Sequence, residues 1–218
     1  MVDKFRDPLL TPRETARHLL IPPGTINGWL HEQAGGVPLV HRVEPEKRGR
    51  PSMPFIGTIE AYVLRSLRDL GLTKRKVRDA AADIRREFDT PYGLATKRIA
   101  TDGIDIFVHH ADGDLARVGD SQRPIREVIN DRLRFITWDI NDEFPSRLRL
   151  RLRQYPDVAP VIIDPRFGWG APVIEATKVP VDAVVDLWLA GESLDAVAYE
   201  YDMTRDQVEA VCRAARAA

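Results

Sequence analysis

At 218 residues, 44% hydrophobic and 30% charged, the chain is long enough for one large domain or two to three small ones, and its composition is globular, not disordered. No apolar run reaches the roughly 20 residues that a membrane span needs, and the opening MVDKFRDPLL, with two acids and no apolar core segment, is not expected to act as a secretory signal. The net charge of −1 conceals an asymmetry: residues 1–90 carry 16 Lys+Arg against 12 Asp+Glu, residues 91–153 carry 11 against 10, and residues 154–218 carry 5 against 11.

A mildly basic front and an acidic rear predict different partners for the two ends. The single cysteine, Cys212, has no mate for an internal disulfide. That suits a reducing, cytoplasmic setting, with Cys212 a small residue half-buried near the end of a helix.

Thr11-Pro12-Arg13-Glu14 is a capping box with proline at the first helical position. The helix it opens buries Thr15, Ala16, Leu19 and Leu20, and stops at Ile21-Pro22-Pro23 because a residue before proline avoids helix. Gly24 to Glu32 predicts a second short helix, with Ile26, Trp29 and Leu30 inside and Thr25, Asn27, Gly28 and His31 pointing elsewhere. Two short helices around a tight turn form a helix-turn-helix. A plain pair of packed helices would carry the same pattern.

The next stretch favours nucleic acid. VPLVHRVEPEKRGRPSMP predicts a hairpin-like excursion in which Arg42, Lys47, Arg48 and Arg50 can reach phosphates. Phe55 to Leu70 is expected as a helix with Ile59, Tyr62, Val63 and Leu67 on one side, ending at Gly71. Thr73 caps another, with Val77, Ala80, Ala81, Ile84 and Phe88 inside. Its outer face, Lys74, Arg75, Lys76, Arg78, Arg85 and Arg86, is either merely solvated or in contact with DNA.

Residues 9–89 resemble the winged helix-turn-helix of MerR-type regulators: opening helix, turn, a recognition helix holding Trp29, a wing, and the pair around RSLRDLGLTKRKVRDA. Asn27 stands where that family commonly has arginine, and Gly28 where it has an aromatic residue. The amide of Asn27 can still donate and accept toward a base edge. Gly28 costs a helix roughly 1 kcal/mol relative to alanine unless close backbone approach compensates.

In the middle, Ile104–Val108 and Asp114–Val118 predict a hairpin turning at Asp112-Gly113. His109 and His110 beside Asp112 and Asp114 suggest a metal site, but adjacent histidines on a strand face opposite ways, so no metal is expected. Pro124 to Leu133 is expected as a short helix. RLRLRLR then alternates strictly. Leu148, Leu150 and Leu152 would be buried, and Arg147, Arg149, Arg151 and Arg153 would line the other face, solvated or paired with acids such as Asp142 and Glu143, or gripping an acidic partner or nucleic acid.

In the rear, DPRFGWGAPVIEATKVP (Asp164 to Pro180) has the glycines of a phosphate loop but not its Lys-Ser/Thr. A two-strand ribbon, VIID then APVIEA, turning through Phe167-Gly168-Trp169-Gly170, fits better. Helices follow at Val181–Ala190, at Leu194–Tyr201 under a Ser193 cap, and after the capping box Thr204-Arg205-Asp206-Gln207.

About 55 residues here resemble the domain-of-unknown-function 433 family. Asp164-Pro165, Gly170, Pro172-Val173-Ile174, Thr177, Val179-Pro180-Val181, Gly191, Ser193 and Thr204 carry the resemblance. Trp169 and Lys178 are mild departures. The whole chain resembles a longer VapB antitoxin of the mycobacterial type, which implies a PIN-fold (VapC-type) ribonuclease as partner.

The expected fold is therefore α+β and mostly helical: a winged helix-turn-helix at 1–90, a strand-containing middle at 91–156, and a three-helix antitoxin domain behind a β-hairpin at 157–218. The expected function is a cytoplasmic, homodimeric antitoxin and autorepressor with no cofactor, no membrane partner and no catalytic residues. Thr25, Asn27, Gly28 and His31 would face operator DNA, Arg42, Lys47, Arg48 and Arg50 its phosphates, and Arg147, Arg149, Arg151 and Arg153 the ribonuclease. The alternative is a stand-alone MerR-like regulator whose rear domain dimerises or senses a ligand. No Ser/His/Asp, Cys/His or paired-carboxylate constellation supports an enzyme.

Overall fold

The structure is a computed structural model that describes residues 2–31, 37–69, 71–111, 125–150 and 155–217. It is α+β and helix-dominated, and the chain divides into two compact units, 3–146 and 147–218, the second including residues 1–2. No helix among the described residues is long and apolar enough to cross a membrane.

In the first unit, the Thr11 hydroxyl accepts from the Glu14 N–H at 3.1 Å and the Glu14 carboxylate accepts from the Thr11 N–H at 2.7 Å, so α1 (Pro12–His18) starts where the capping box predicts. The chain turns through Leu20, whose φ of 51° lies in the left-handed region, into α2 (Pro23–Leu30). Ile26, Trp29 and Leu30 are buried, as their spacing requires.

The excursion after α2 forms no strand among its described residues. It closes through the Val43 N–H donating to the Ser52 carbonyl (2.8 Å) and an antiparallel bridge between Leu10 and Met53. Helix α3 (Phe55–Arg68) is buried far beyond the expected stripe. Every residue from Phe55 to Leu64 is buried, so it is the central helix of the unit. α4 (Lys74–Glu87) is capped by Thr73 and buries Val77, Ala80, Ala81 and Ile84.

The expected strand at Ile104–Val108 is instead part of α5 (Asp102–Ala111). Ile104 and Phe107, three apart, are both fully buried. Asp102 and Asp105 sit in the first turn and His109 and His110 in the last, the arrangement that a helix dipole favours. The apolar run Ile104-Asp105-Ile106-Phe107-Val108 fits both periods, and packing on α4 selects the helix. The expected Asp112-Gly113 turn and the strand after it lie outside the described residues. α6 (Ile125–Leu133) forms as expected. The Tyr62 hydroxyl donates to the Arg132 carbonyl of α6 at 2.9 Å, and burial pushes its pKa up to about 12. β1 (Ile136–Trp138) then runs beside the start of β2 (Pro145–Leu150).

In the second unit, β2 pairs antiparallel with β3 (Val161–Ile163) in the register Leu148 to Ile163 and Leu150 to Val161. β3 pairs antiparallel with β4 (Val173–Ile174). The expected ribbon is thus present. Its turn has three successive residues in the left-handed region, Gly168 (φ 59°), Trp169 (51°) and Gly170 (85°). That explains the paired glycines as backbone requirements of the turn, not as phosphate contacts.

α7 (Val181–Leu189), α8 (Leu194–Glu200) and α9 (Arg205–Ala217) follow. Ser193 caps α8, and Thr204 and Gln207 exchange both bonds of their capping box at 3.2 and 3.0 Å. Val184, Val197, Val208, Val211 and Cys212 are all buried, and Cys212 lies deeper than the half-buried position expected for it.

Candidate functional site

On the helix-turn-helix, Asn27 and His31 are exposed, and Gly28 and Thr25 are half-buried. The Thr25 hydroxyl accepts a hydrogen bond from Arg68 of α3 at 2.9 Å, which ties the first turn of α2 to α3. The Nδ1–H of His31 donates to the Asn27 carbonyl at 2.7 Å. A carbonyl only accepts, so in a neutral ring Nε2 is left as an acceptor facing outward. Asn27 and His31 thus offer both hydrogen-bond polarities at one end of a helix, the chemistry a base edge needs.

Arg42, Lys47, Arg48 and Arg50 are all exposed on the limb that follows. Gly49, with φ +84° and open space around it, and the Arg50 N–H donating to the Lys47 carbonyl shape its tip. Four cations on a narrow loop beside a helix-turn-helix suit a phosphate backbone.

The base of that limb is held by residues that the pattern of the sequence did not single out. Glu60, in the middle of α3, is fully buried. Its carboxylate accepts from the His41 backbone N–H at 2.7 Å and from His41 Nδ1–H at 2.8 Å. Arg85 lies 3.9 Å from the same carboxylate and donates to the Pro38 and Leu39 carbonyls, each at 2.9 Å. Burial holds the Arg85 guanidinium below its usual pKa, with Glu60 opposing.

Arg85 therefore does not belong to the outward basic face of α4 with Lys74 and Arg75, which are exposed. It clamps the start of the limb. Gly57 permits the approach, since a Cβ there would stand 2.3 Å from the His41 carbonyl oxygen. The signal in the sequence was the lone acid inside FIGTIEAYVL.

The arginine ladder falls on β2 and just beyond. Leu148 and Leu150 are buried, as alternation requires. Arg147 donates to Glu175 at 2.9 Å and lies 3.6 Å from Asp164; Arg149 is 3.9 Å from Glu175 and half exposed. Arg151 and Arg153, with Leu152, lie outside the described residues. The described ladder arginines, Arg147 and Arg149, meet Asp164 and Glu175, and the expected Asp142 instead pairs with Lys4 at 2.7 Å.

Asp164 is fully buried and holds the ribbon turn together. It accepts from the Arg166 N–H (3.0 Å) and from the guanidinium at 2.9 and 2.7 Å. This bidentate pair accounts for the Asp-Pro at the head of the rear domain.

His109 and His110 lie at the end of α5, beside an open cleft that Asp83, Glu87, Asp102 and Asp105 also line. His110 Nε2 is 2.8 Å from Asp83. Among the described residues no group of three or more His, Cys, Asp or Glu side chains could hold a metal ion.

Known families match at both ends. Residues 8–81 match the model described as "Putative DNA-binding HTH domain", and residues 161–213 match "Protein of unknown function (DUF433)". The chain thus carries a helix-turn-helix-like region in front and a DUF433-like region behind.

Particular proteins are similar to the chain along nearly their whole length. The chain is 29% identical to "Putative antitoxin VapB45" of Mycobacterium tuberculosis strain H37Rv, over 94% of this chain and 92% of that protein. It is also similar to the crystal structure of Rv2018 from Mycobacterium tuberculosis, at a TM-score of 0.79 and 28% identity, over 95% of this chain and 98% of the other.

Proposed function

We infer that the chain is the antitoxin of a toxin–antitoxin pair, that it neutralises a PIN-fold, VapC-type ribonuclease by binding it, and that it represses its own operon. The observation that carries this reading is the pair of matched regions, together with similarity over 94% of the chain to a relative named "Putative antitoxin VapB45". In this reading residues 1–90 form a MerR-like winged helix-turn-helix that binds operator DNA as a homodimer, so that the half-sites mirror the protein's two-fold axis. Residues 157–218 form the antitoxin domain, and 91–156 are the middle segment, of which 91–146 belong to the first compact unit. The setting is cytoplasmic, and neutralisation involves no catalytic step by this chain.

Asn27 and His31 are assigned to base edges. Thr25, whose hydroxyl can still donate while accepting from Arg68, and the backbone at Gly28 are assigned to positioning at the groove. Arg42, Lys47, Arg48 and Arg50 are assigned to phosphate. Of the described ladder arginines, Arg149 has the exposure to reach an acidic pocket on the ribonuclease, whereas Arg147 is occupied by Glu175 and Asp164.

Neutralisation is tested by mixing the purified full chain with the ribonuclease that co-purifies with it and following RNA cleavage. Cleavage stops at a one-to-one ratio if the reading holds, and it continues in any excess of the chain if the reading is wrong. A stand-alone MerR-like regulator would bind its operator but stop no ribonuclease.

A further inference from the structure

Helix α7 has the sequence VDAVVDLWL. On a 3.6-residue period Val184, Trp188, Val181, Val185 and Leu189 make one continuous apolar stripe. Only its Val184 edge is buried; Val181, Val185 and Trp188 are half-buried, and Leu189 is 64% exposed. Tyr199 of α8 is 91% exposed. The core of the second unit thus takes one edge of the stripe, half-covers Val181, Val185 and Trp188, and leaves Leu189 to water. An apolar helix stripe left partly uncovered marks a place where another molecule seats.

Charge decides what that molecule is. Asp182 and Asp186 run along the flank of the stripe beside Leu189, and Glu192 follows in the turn; all three are exposed. From Val181 to Thr204 the chain has six acids and no lysine or arginine. The nearby Arg205 is already engaged by Asp195 and Glu209, at 3.4 and 3.8 Å, so a second copy of this face would set Asp182, Asp186 and Glu192 against their own kind, a juxtaposition that disfavours self-association.

We propose that the α7–α8 face is the seat of the ribonuclease partner, which meets it with an apolar patch rimmed by lysine and arginine. The proposal rests on the antitoxin reading for the identity of the partner, and on the apolar stripe and its acidic flank for the surface. Leu189 and Val185 enter the patch, and Asp186 and Glu192 pair with the basic rim.

The test uses the full chain in its native host. Leu189→p-benzoylphenylalanine places a photocrosslinker on the stripe, and Arg75→p-benzoylphenylalanine, at an exposed position in the other unit, is the control. Crosslinked peptides are identified by mass spectrometry. In parallel, wild type and Asp186→Lys/Glu192→Lys, checked for unchanged thermal unfolding, are compared for ribonuclease capture.

The expected result is an adduct from position 189 to a ribonuclease peptide flanked by lysine or arginine, with affinity in the charge-reversed variant lowered by about tenfold or more. An adduct to a different protein with such a basic-rimmed patch, with no ribonuclease captured, would keep the basic-rimmed docking face and overturn its assignment to a ribonuclease, together with the antitoxin reading. Ribonuclease captured by wild type with no adduct from position 189, or with undiminished capture by the charge-reversed variant, would overturn the seat and leave the antitoxin reading standing. An adduct to a second copy would overturn the seat. No adduct and no ribonuclease would overturn both.

Discussion

Glu60 is the single acid in the fourteen residues of α3, and it lies at the centre of the first unit with no exposure at all. Burying a carboxylate is tolerated only with partners, and His41 and Arg85 supply them. Removing it leaves the Arg85 guanidinium buried without its acid, so Glu60→Ala is expected to cost about 3–5 kcal/mol in urea unfolding. A loss under about 1 kcal/mol would show that the contact does not hold the limb.

His18 acts differently. Burial, with Arg17 adding to it, pushes its imidazole pKa down to about 4 from an ordinary 6.5, so the folded unit keeps the ring neutral. Unfolding lets it take a proton below 6.5. Stability from this residue is therefore full above pH 6.5, falls as the pH drops toward 4, and levels off below, for a total loss of about 3 kcal/mol. Urea titrations of wild type and His18→Gln across pH 7 to 4 test this. The variant is expected to lose that part of the slope, and an unchanged slope would exonerate His18.

At the scale of elements, the limb between α2 and α3 depends on Gly57. With a Cβ 2.3 Å from a backbone oxygen, Gly57→Ala forces the His41 segment away from α3. It is expected to weaken DNA binding by more than tenfold, with a stability loss of about 1–3 kcal/mol. Wild-type affinity in Gly57→Ala would disconnect the limb from DNA.

Arg48→Ala/Arg50→Ala should reduce affinity equally for specific and random DNA. It should also reduce the slope of log K against log salt by about 2, one unit for each phosphate released. Asn27→Ala should instead lower discrimination between operator variants and leave the salt slope alone. Fluorescence anisotropy over a salt series separates the two.

The elements differ in how well the sequence exposed them. α1, α4, α8 and α9 begin at side-chain caps, local signals that tertiary contacts do not override, and they start where those caps stand. Thr101 stands directly before α5, but its hydroxyl donates to the Arg98 carbonyl, and a five-residue apolar run with one aspartate serves a strand or a helix equally. Its burial against α4 settled the matter only in three dimensions. The same limit hid Arg85, which sequence periodicity puts among the outer cations of α4 while its guanidinium bonds to Pro38 and Leu39, more than forty positions away.

The exposed candidates Asn27, His31, Arg42, Lys47, Arg48 and Arg50 are legible because exposure follows from helix period and loop composition. The residues that position the limb are not, because long-range pairing leaves no local trace.

For the whole molecule, the charge asymmetry of the sequence matches the division of labour proposed here. Cations gather on the helix-turn-helix unit, where DNA would be met, and the rear unit is acidic around an uncovered apolar helix face, where a basic-rimmed protein would seat. The measurement that tests this account most directly is purification of the tagged full chain from its native host, with mass spectrometry of whatever co-elutes at high salt. The account predicts a small ribonuclease in stoichiometric amount. A solitary dimer that still binds the DNA upstream of its own gene would contradict it and identify a stand-alone regulator.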